Sequence, residues 1–245
     1  MFESEMKNPI LLRNALEPIT EIIDEAVLQI KEDGLKILAA DRAVVVVVDF
    51  EMSKKCFDKY KLTENIEIGL NLTNFLQILK RAGSSDKLKL KTDGQKLEII
   101  FENGSERKFQ IPTISLSGNE TPDVSKLEFK NIIKTDASII NNAINDADLI
   151  ADSMVFSIDE SAMRISASSD STSVNIVVPK KKLKKFGYVE DARSRFSLEY
   201  LKKIIKASKI ADEAEISIGT DYPMRLIFAD KNIKISFILA PRVED

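Results

Sequence analysis

The chain has 245 residues, of which 44% are hydrophobic and 31% charged, and its formal net charge is −3. This composition excludes disordered and low-complexity classes, and the charge excludes a surface coated with basic residues for tight nucleic-acid binding. Because the chain has no histidine and a single cysteine, Cys56, it cannot form an internal disulfide, a zinc site, or a Cys-His or Ser-His nucleophile.

The first half of the chain begins with a helical pattern. Apolar residues recur at three- and four-residue spacing over 11–23. Pro18 lies inside this stripe and removes the backbone donor to Asn14, so we expect a kink or an early break at residues 14 to 18. The further elements predicted in this half are a hairpin over 26–39, an unbroken β-branched strand at 44–50, a short helix at 75–79, and strands at 88–90, 97–101 and 107–111.

The second half repeats the first. Asn14 echoes Asn142 and Asp24 echoes Asp152, and in both pairs the positions differ by 128. Its predicted elements are a helix at 139–150, a hairpin over 155–167, a strand at 173–178, a helix at 198–207 and strands within 216–239. Such self-similarity predicts two similar α+β domains in tandem, with four helix-plus-sheet units.

Turn-forming residues with proline at both ends, from Pro112 to Pro122, indicate a connector between the halves. We therefore predict an N-terminal domain at 1–111, a connector loop at 112–125 and a C-terminal domain at 126–245. No apolar run is long enough to cross a bilayer, and the first residues lack the features of a signal peptide, so we expect an intracellular protein without a membrane contact.

Chemistry at a reactive centre is not expected. Neither a P-loop nor a dinucleotide-binding glycine motif is present. Acidic pairs such as Asp146 with Asp148, or Glu244 with Asp245, are interpreted as solvated surface rather than Mg²⁺ sites. We expect no catalytic residue, no metal and no cofactor.

Basic residues lie on the polar sides of three predicted helices: Arg13, Lys80, Arg81, Lys202, Lys203, Lys206 and Lys209. They could simply keep amphipathic helices soluble. No aromatic residues interleave with them, which favours contact with duplex phosphates over stacking on single-stranded bases. The third helix, 139–151, has no lysine or arginine. The lysine run at 180–185 is interpreted as solvated, with contact to DNA or to a loading protein as the less favoured alternative.

Several segments carry a resemblance that covers the whole chain. They are IGLNLT at 68–73, ILKRAG at 78–83, DYPM at 221–224 and LAPRVED at 239–245. Together with the duplication, they resemble the DNA polymerase sliding clamp of archaea and eukaryotes, the proliferating cell nuclear antigen (PCNA) family. The compact length, with no extension after Asp245, resembles the archaeal members more closely.

This resemblance implies a tandem DNA-clamp fold in a homotrimeric ring, with helices lining the hole and antiparallel sheets outside. The ring would encircle double-stranded DNA without sequence specificity, as a non-enzymatic processivity factor in replication and repair. The basic residues named above would contact the DNA, with an unequal share for the third helix. The implied location is the cytoplasm in association with the nucleoid, or the nucleus if the source is eukaryotic.

The resemblance also implies how subunits join. An edge strand of one subunit would pair with an edge strand of the next, which removes two exposed edges. The predicted interface residues are Arg107, Lys108, Phe109, Gln110, Ile111, Ser173, Val174, Asn175, Ile176, Val177 and Val178. The open alternative is that these edges are covered within one chain.

A partner-peptide pocket is implied as well. It would take short peptides with a glutamine, an aliphatic residue and two adjacent aromatics, from a clamp loader, DNA polymerase, flap endonuclease or DNA ligase. Its predicted residues are Ala40, Val44, Val45, Val47, Thr121, Pro122, Tyr222, Pro223, Ile238, Ala240 and Pro241. Val45 and Val47 could instead belong to the core. We expect the free backbone at 240–242 to extend a strand to the peptide.

Two alternatives stay open. A small-molecule enzyme would need convergent polar residues in a cleft. A checkpoint-type clamp, or one subunit of a heterotrimeric clamp, would share the fold but need distinct partner subunits.

Overall fold

The computed structural model describes residues 1–116 and 121–243. Part of the predicted connector, 117–120, and the pair Glu244 and Asp245 lie outside the described residues. The chain divides into two compact units. The first unit consists of Met1–Asp41, Val48–Thr121 and Asp230–Ile235. The second unit consists of Arg42–Val47, Pro122–Ala229 and Ser236–Asp245.

The first half alternates helices with groups of strands. In chain order its elements are β1 (Phe2–Met6), α1 (Pro9–Thr20), β2 (Glu25–Lys31), β3 (Gly34–Ala40), β4 (Val46–Ser53), β5 (Lys59–Leu62), β6 (Ile66–Asn71), α2 (Leu72–Leu79), β7 (Lys87–Thr92), β8 (Lys96–Glu102) and β9 (Glu106–Pro112). A 3₁₀ turn at Lys54–Cys56 follows β4. One sheet has the order β5-β1-β7-β8-β9, and β4, β3, β2 and β6 lie side by side in another.

The second half has the same element order. Its elements are β10 (Asn131–Asp136), α3 (Ala137–Asp148), β11 (Ser153–Ile158), β12 (Ala162–Ser168), β13 (Ser173–Pro179), β14 (Lys185–Gly187), β15 (Ala192–Ser197), α4 (Leu198–Ile204), β16 (Glu213–Ile218), β17 (Met224–Asp230) and β18 (Ile233–Leu239). Its 3₁₀ turns are Val124–Lys126, Lys180–Lys182 and Ile205–Lys209. Here β13-β12-β11-β15 form one sheet, and β14, β10, β16, β17 and β18 are neighbours in another. The predicted tandem α+β architecture is confirmed.

The helices of each half pack in pairs, α1 against α2 and α3 against α4. Each helix buries one apolar stripe, such as Leu12, Leu16 and Ile19 on α1. The sheet beneath is amphipathic in the same way. In β7, Leu88 and Leu90 are buried while the alternating lysines face out. The polar side of every helix pair is consequently left for other contacts.

The early break predicted at residues 14 to 18 is wrong, whereas the kink given as its alternative stays a prediction. α1 runs without interruption from Pro9 to Thr20, with Pro18 inside it and buried. Because Pro18 lies two residues before the end of the helix, only the bond to the Asn14 carbonyl is lost, and burial of the ring offsets part of that loss. The proline at the start of the helix is in its favoured position.

The strand predicted from residue 44 begins later. β4 starts at Val46, and Val44 has a left-handed backbone with φ of 56°. A β-branched residue rarely adopts this conformation, so neighbouring contacts must hold the turn. One of them is the hydrogen bond from the Ala240 N–H to the Val45 carbonyl, at 2.9 Å. The side chain of Val44 is left 55% exposed.

A prediction concerns Gly69 in β6, whose carbonyl accepts a hydrogen bond from the Ile114 N–H at 3.0 Å. A Cβ at Gly69 would lie 2.1 Å from the Ile114 carbonyl oxygen. Gly69→Ala should therefore lower the free energy of unfolding by about 1–3 kcal/mol, as other overpacked sites do. Urea denaturation measures this. Gly83→Ala is the matched control, because its nearest neighbour would be 3.8 Å away. Equal stability of the two variants would contradict the assigned packing.

Candidate nucleic-acid interface and protein-binding surfaces

Lysines occupy the polar side of α4, opposite its buried stripe of Leu198, Leu201 and Ile204. Lys202 and Lys209 are exposed, and Lys203 and Lys206 are half-buried. The predicted helix end at 207 is replaced by the 3₁₀ turn Ile205–Lys209, in which residues three apart align. Lys206 and Lys209 therefore still share one side.

At least three of the seven predicted cations are paired with carboxylates of their own unit. The Lys202 Nζ lies 2.7 Å from Asp148 Oδ2, and the Lys203 Nζ lies 2.9 Å from Glu199 Oε1. In the first unit, Lys80 Nζ lies 4.0 Å from Glu17 Oε1. α3 has no basic residue, and through Asp148 it partly neutralises a lysine of α4.

The sequence analysis missed the role of Asp148. No local signal marks it, because Asp148 and Lys202 lie on different helices that meet only in the fold. Exposed ion pairs of this kind contribute about 0–1 kcal/mol, and salt screens them. An approaching phosphate can therefore compete for these lysines.

The first unit contributes a smaller basic group. Arg13 on α1 is half-buried, and its Nη2 lies 3.5 Å from Asn14 Oδ1. Lys80 and Arg81 are exposed at the end of α2. Because α1 packs on α2, the structure brings these residues to one helix pair. The two units thus carry separate, modest basic faces suited to sequence-independent phosphate contact.

The two strands predicted at the subunit interface are both edge strands. β9 is the last strand of its five-stranded sheet, and β13 is the last strand of its four-stranded sheet. In β13, Val177 is 48% exposed and Val174 and Ile176 are half-buried. In β9, Phe109 is half-buried beside the Phe101 ring. Each edge offers one row of backbone groups and partly exposed apolar side chains.

β9 is held to the end of α2 by Arg107. Its guanidinium pairs with Asp86 and also donates to the Arg81 carbonyl at 3.2 Å. Asp86 is buried, and the hydrogen bond from the Gly83 N–H, together with Arg107, holds the pKa of its carboxyl below the usual range. The predicted interface strand β9 and a predicted DNA-contacting segment therefore share one anchor.

The predicted pocket residues differ in exposure. Val47 and Ile238 are 5% and 6% exposed, so they belong to the core, and only the more exposed members can touch a peptide directly. Val44 is exposed, and the half-buried members are Ala40, Val45, Thr121, Pro122, Tyr222, Pro223, Ala240 and Pro241.

Tyr222 is held by neighbours that the sequence analysis did not identify. Its ring packs edge-to-face on the Phe129 ring, with the two ring centroids 5.7 Å apart. The Arg225 guanidinium covers the Phe129 ring, 4.4 Å from its centroid. The Tyr222 N–H donates to Ser194 Oγ at 3.2 Å. Phe129 and Ser194 are distant from Tyr222 in the sequence, so no local pattern could indicate them, and Arg225, three residues after Tyr222, acts through its contact with Phe129.

The expectation of a free backbone at 240–242 is wrong for its N–H groups, which are already hydrogen-bonded or absent. The Ala240 N–H donates to Val45, and the Arg242 N–H donates to the Arg195 carbonyl at 2.7 Å. Pro241 has no N–H. Because these N–H groups are not available, any strand extension from 240–242 to a peptide must use the carbonyl groups. The segment is also held by the Arg242 guanidinium, 2.8 Å from Asp152 Oδ2.

Two further observations apply to residues 1–116 and 121–243. In this part of the chain, no three His, Cys, Asp or Glu side chains come together in a way that could hold a metal ion. No helix there combines the length and apolar character needed to span a bilayer.

Comparison with known families decides the assignment. Residues 1–121 match the proliferating cell nuclear antigen N-terminal domain, and residues 123–243 match its C-terminal domain. The chain belongs to the proliferating cell nuclear antigen family. The resemblance seen in the sequence and the predicted clamp fold are thereby confirmed.

Relatives in the PCNA family match along their whole length. A DNA polymerase sliding clamp from Methanothermobacter thermautotrophicus is 32% identical over 246 residues, covering 100% of this chain and 99% of the relative. The solved structure of A. fulgidus PCNA bound to the C-terminal region of FEN-1 is 30% identical, with a TM-score of 0.91 and 100% of each chain covered. The PCNA2-PCNA3 complex from Sulfolobus tokodaii contains a chain 28% identical, with a TM-score of 0.89, covering 99% of this chain and 100% of that one.

A prediction follows from the Asp148–Lys202 pair. Asp148→Asn should release Lys202 and remove a negative charge beside it, so affinity for a short duplex should rise about two- to five-fold, which corresponds to less than about 1 kcal/mol. Fluorescence anisotropy at low salt measures this. Glu32→Gln, an equal charge change at an exposed turn of the first unit, is the control. If both variants bind equally tightly, the gain reflects net charge alone and the pair has no role.

Proposed function

We propose that the chain is a DNA sliding clamp, which closes as a homotrimeric ring around duplex DNA and tethers replication and repair enzymes without performing chemistry itself. The observation that supports this most is the full-length likeness to A. fulgidus PCNA in its complex with the FEN-1 C-terminal region. The family match of both halves supports the same conclusion.

The DNA contact in this proposal is electrostatic and weak. The candidate residues are Arg13, Lys80, Arg81, Lys202, Lys203, Lys206 and Lys209. Duplex DNA presents one charge per roughly 1.7 Å, and contact with its phosphates carries no sequence information. Because several of these lysines already have carboxylate partners, each holds a phosphate weakly. A lysine can therefore move from one phosphate to the next at little cost in free energy. Such a surface suits a ring that is held by topology and slides.

Ring closure is assigned to β9 of one copy and β13 of the next. A head-to-tail contact between two different edges of the same chain closes into a ring when the rotation between copies allows it. Pairing would satisfy both rows of backbone groups and cover apolar residues such as Val177 and Phe109. We therefore propose the two strands as the two sides of one interface.

Tethering is assigned to the surface around Tyr222. Tyr222, Pro223, Ala240 and Pro241 are half-buried apolar residues, and we assign to them a small socket of the kind in which short peptides anchor aromatic side chains. The proposed occupants are peptides of the clamp loader, DNA polymerase, flap endonuclease and DNA ligase. The FEN-1 segment bound to A. fulgidus PCNA supports a peptide mode of binding.

A second candidate is one subunit of a heteromeric ring. It is favoured by the likeness to a chain of the Sulfolobus tokodaii PCNA2-PCNA3 complex. The two candidates differ in one measurable respect, because only the first predicts that this chain closes a ring by itself.

The central prediction concerns topology. The purified chain should have three times its mass of 27.5 kDa, remain on a nicked circular plasmid after loading, and leave once the plasmid is cut. Size exclusion with light scattering, followed by gel filtration of the loaded plasmid, measures both properties. Equal retention on circular and linear DNA would reject the ring, and a monomer at all concentrations would favour the heteromeric candidate.

A further prediction tests the socket. Ala240→Glu keeps the backbone bond to Val45 but places a charge among apolar side chains, so it should weaken binding of a peptide with glutamine, an aliphatic residue and two aromatics by about ten-fold or more. Isothermal titration calorimetry measures the change. Val189→Glu, at a residue that is 63% exposed in the β14–β15 connection, is the control. Undiminished binding by the Ala240 variant would place the peptide site elsewhere.

A further inference from the structure

The two halves repeat a lysine-bearing turn. We define the first lysine turn by Lys54 and Lys55, after β4, and the second by Lys180, Lys181 and Lys182, after β13. The second falls in the run that the sequence analysis interpreted as a solvated loop; the structure shows a 3₁₀ turn followed by β14.

The same backbone hydrogen bonds build both turns. The Lys54 N–H donates to the Asp33 carbonyl at 2.8 Å, and the Lys180 N–H donates to the Ser161 carbonyl at 2.9 Å. In the first turn the Lys54 carbonyl accepts a hydrogen bond from the Phe57 N–H. In the second turn the Lys180 carbonyl accepts one from the Leu183 N–H. The lysines are thus displayed by an ordered and repeated scaffold.

An ion pair ties each turn to the start of a helix. Asp58 pairs with Lys7 at 3.1 Å, two residues before α1, and Lys184 pairs with Asp136 at 3.4 Å, immediately before α3. The two pairs join equivalent segments, with the helix-start residues one position out of register, and the charges are exchanged. In both units the turn therefore lies beside the first residues of the first helix of that unit, α1 or α3.

The turn lysines are less neutralised than the helix lysines. All five are exposed, and none has a carboxylate within 4.0 Å among the described residues. In contrast, Lys80, Lys202 and Lys203 are paired. An unpaired lysine retains its full attraction for a polyanion, so the two turns are the stronger electrostatic points.

We propose that the two lysine turns bind phosphates of duplex DNA and form a second set of contacts, beside the helix faces, in each subunit. This inference rests on the proposed clamp function. It also explains how a subunit whose α3 lacks basic residues can still attract DNA at the start of that helix.

The chemistry of the turns favours DNA over an acidic protein. Protein interfaces depend on buried apolar or aromatic anchors, whereas the second turn consists of three exposed lysines followed in the chain by the half-buried Leu183. Flexible lysines act as point charges on phosphates and need no anchor. The lysines have no bidentate geometry, so the expected contact is independent of base sequence.

The test uses the full chain in its assembled state and a short labelled duplex. One variant carries Lys180→Gln, Lys181→Gln and Lys182→Gln, and the matched control carries Lys→Arg at the same positions. Binding is measured between about 50 and 200 mM salt, where each phosphate contact contributes about 0.9 to the slope of log K against log salt. The glutamine variant should lose about two to three units of slope for each subunit whose second turn contacts the duplex, and at least about ten-fold in affinity at the lower salt, while the arginine variant should keep both.

Three outcomes are decisive. An unchanged slope in the glutamine variant, with wild type still retained on circular DNA, would overturn this inference and leave the clamp function standing. Loss of wild-type retention would reject the clamp function instead. If duplex binding is unchanged but binding of an acidic peptide is lost, the turns are a protein-docking surface and the inference is overturned. Circular dichroism verifies that the variant is folded.

Discussion

Burial of one apolar stripe on each helix determines which side chains remain available for contact with other molecules. A fully buried leucine or isoleucine contributes about 1.5–3 kcal/mol, and α4 buries Leu198, Leu201 and Ile204. An exposed ion pair contributes about 0–1 kcal/mol. The stripe therefore sets the rotation of the helix, and the lysines take the opposite side as a consequence. The charged pairs adjust this surface but do not define it.

Because apolar burial outweighs exposed ion pairs, a protein with a net negative charge can still present local basic faces. The carboxylates of Glu17, Asp148 and Glu199 weaken the attraction of nearby lysines for phosphate without removing it. A ring that must move along DNA gains from such weakening, because tightly held phosphates would slow it. The same reasoning separates the paired helix lysines from the unpaired lysines of the two turns.

The helices, the hairpins and the duplication could be predicted because their signals are local. Apolar residues at helical spacing predicted α1 and α3, and the turn containing Gly34 predicted a hairpin. In contrast, β1 and β10 mix apolar and polar residues over a few positions, and their pairing partners lie far along the chain. Short strands of that kind obtain their stability from distant neighbours, so periodicity alone does not find them.

The candidate site shows the same division. The apolar stripe of each helix predicted which side carries the cations. β9 and β13 are edge strands, which agrees with the placement proposed from the family resemblance. The contact of Lys202 with Asp148 and the contact of Tyr222 with Phe129 could not be predicted, since each joins segments that meet only after folding. Pro18 was misjudged because the cost of a proline depends on its distance from the helix end, which the sequence left unknown.

The exchanged charges of the Lys7–Asp58 and Asp136–Lys184 pairs have a consequence for the two copies within the chain. If the strand and helix start of one half replaced those of the other, two lysines or two carboxylates would face each other. Like charges in this position repel. An exchange of these segments between the two halves would therefore carry a small electrostatic cost, even though the order of their elements is the same.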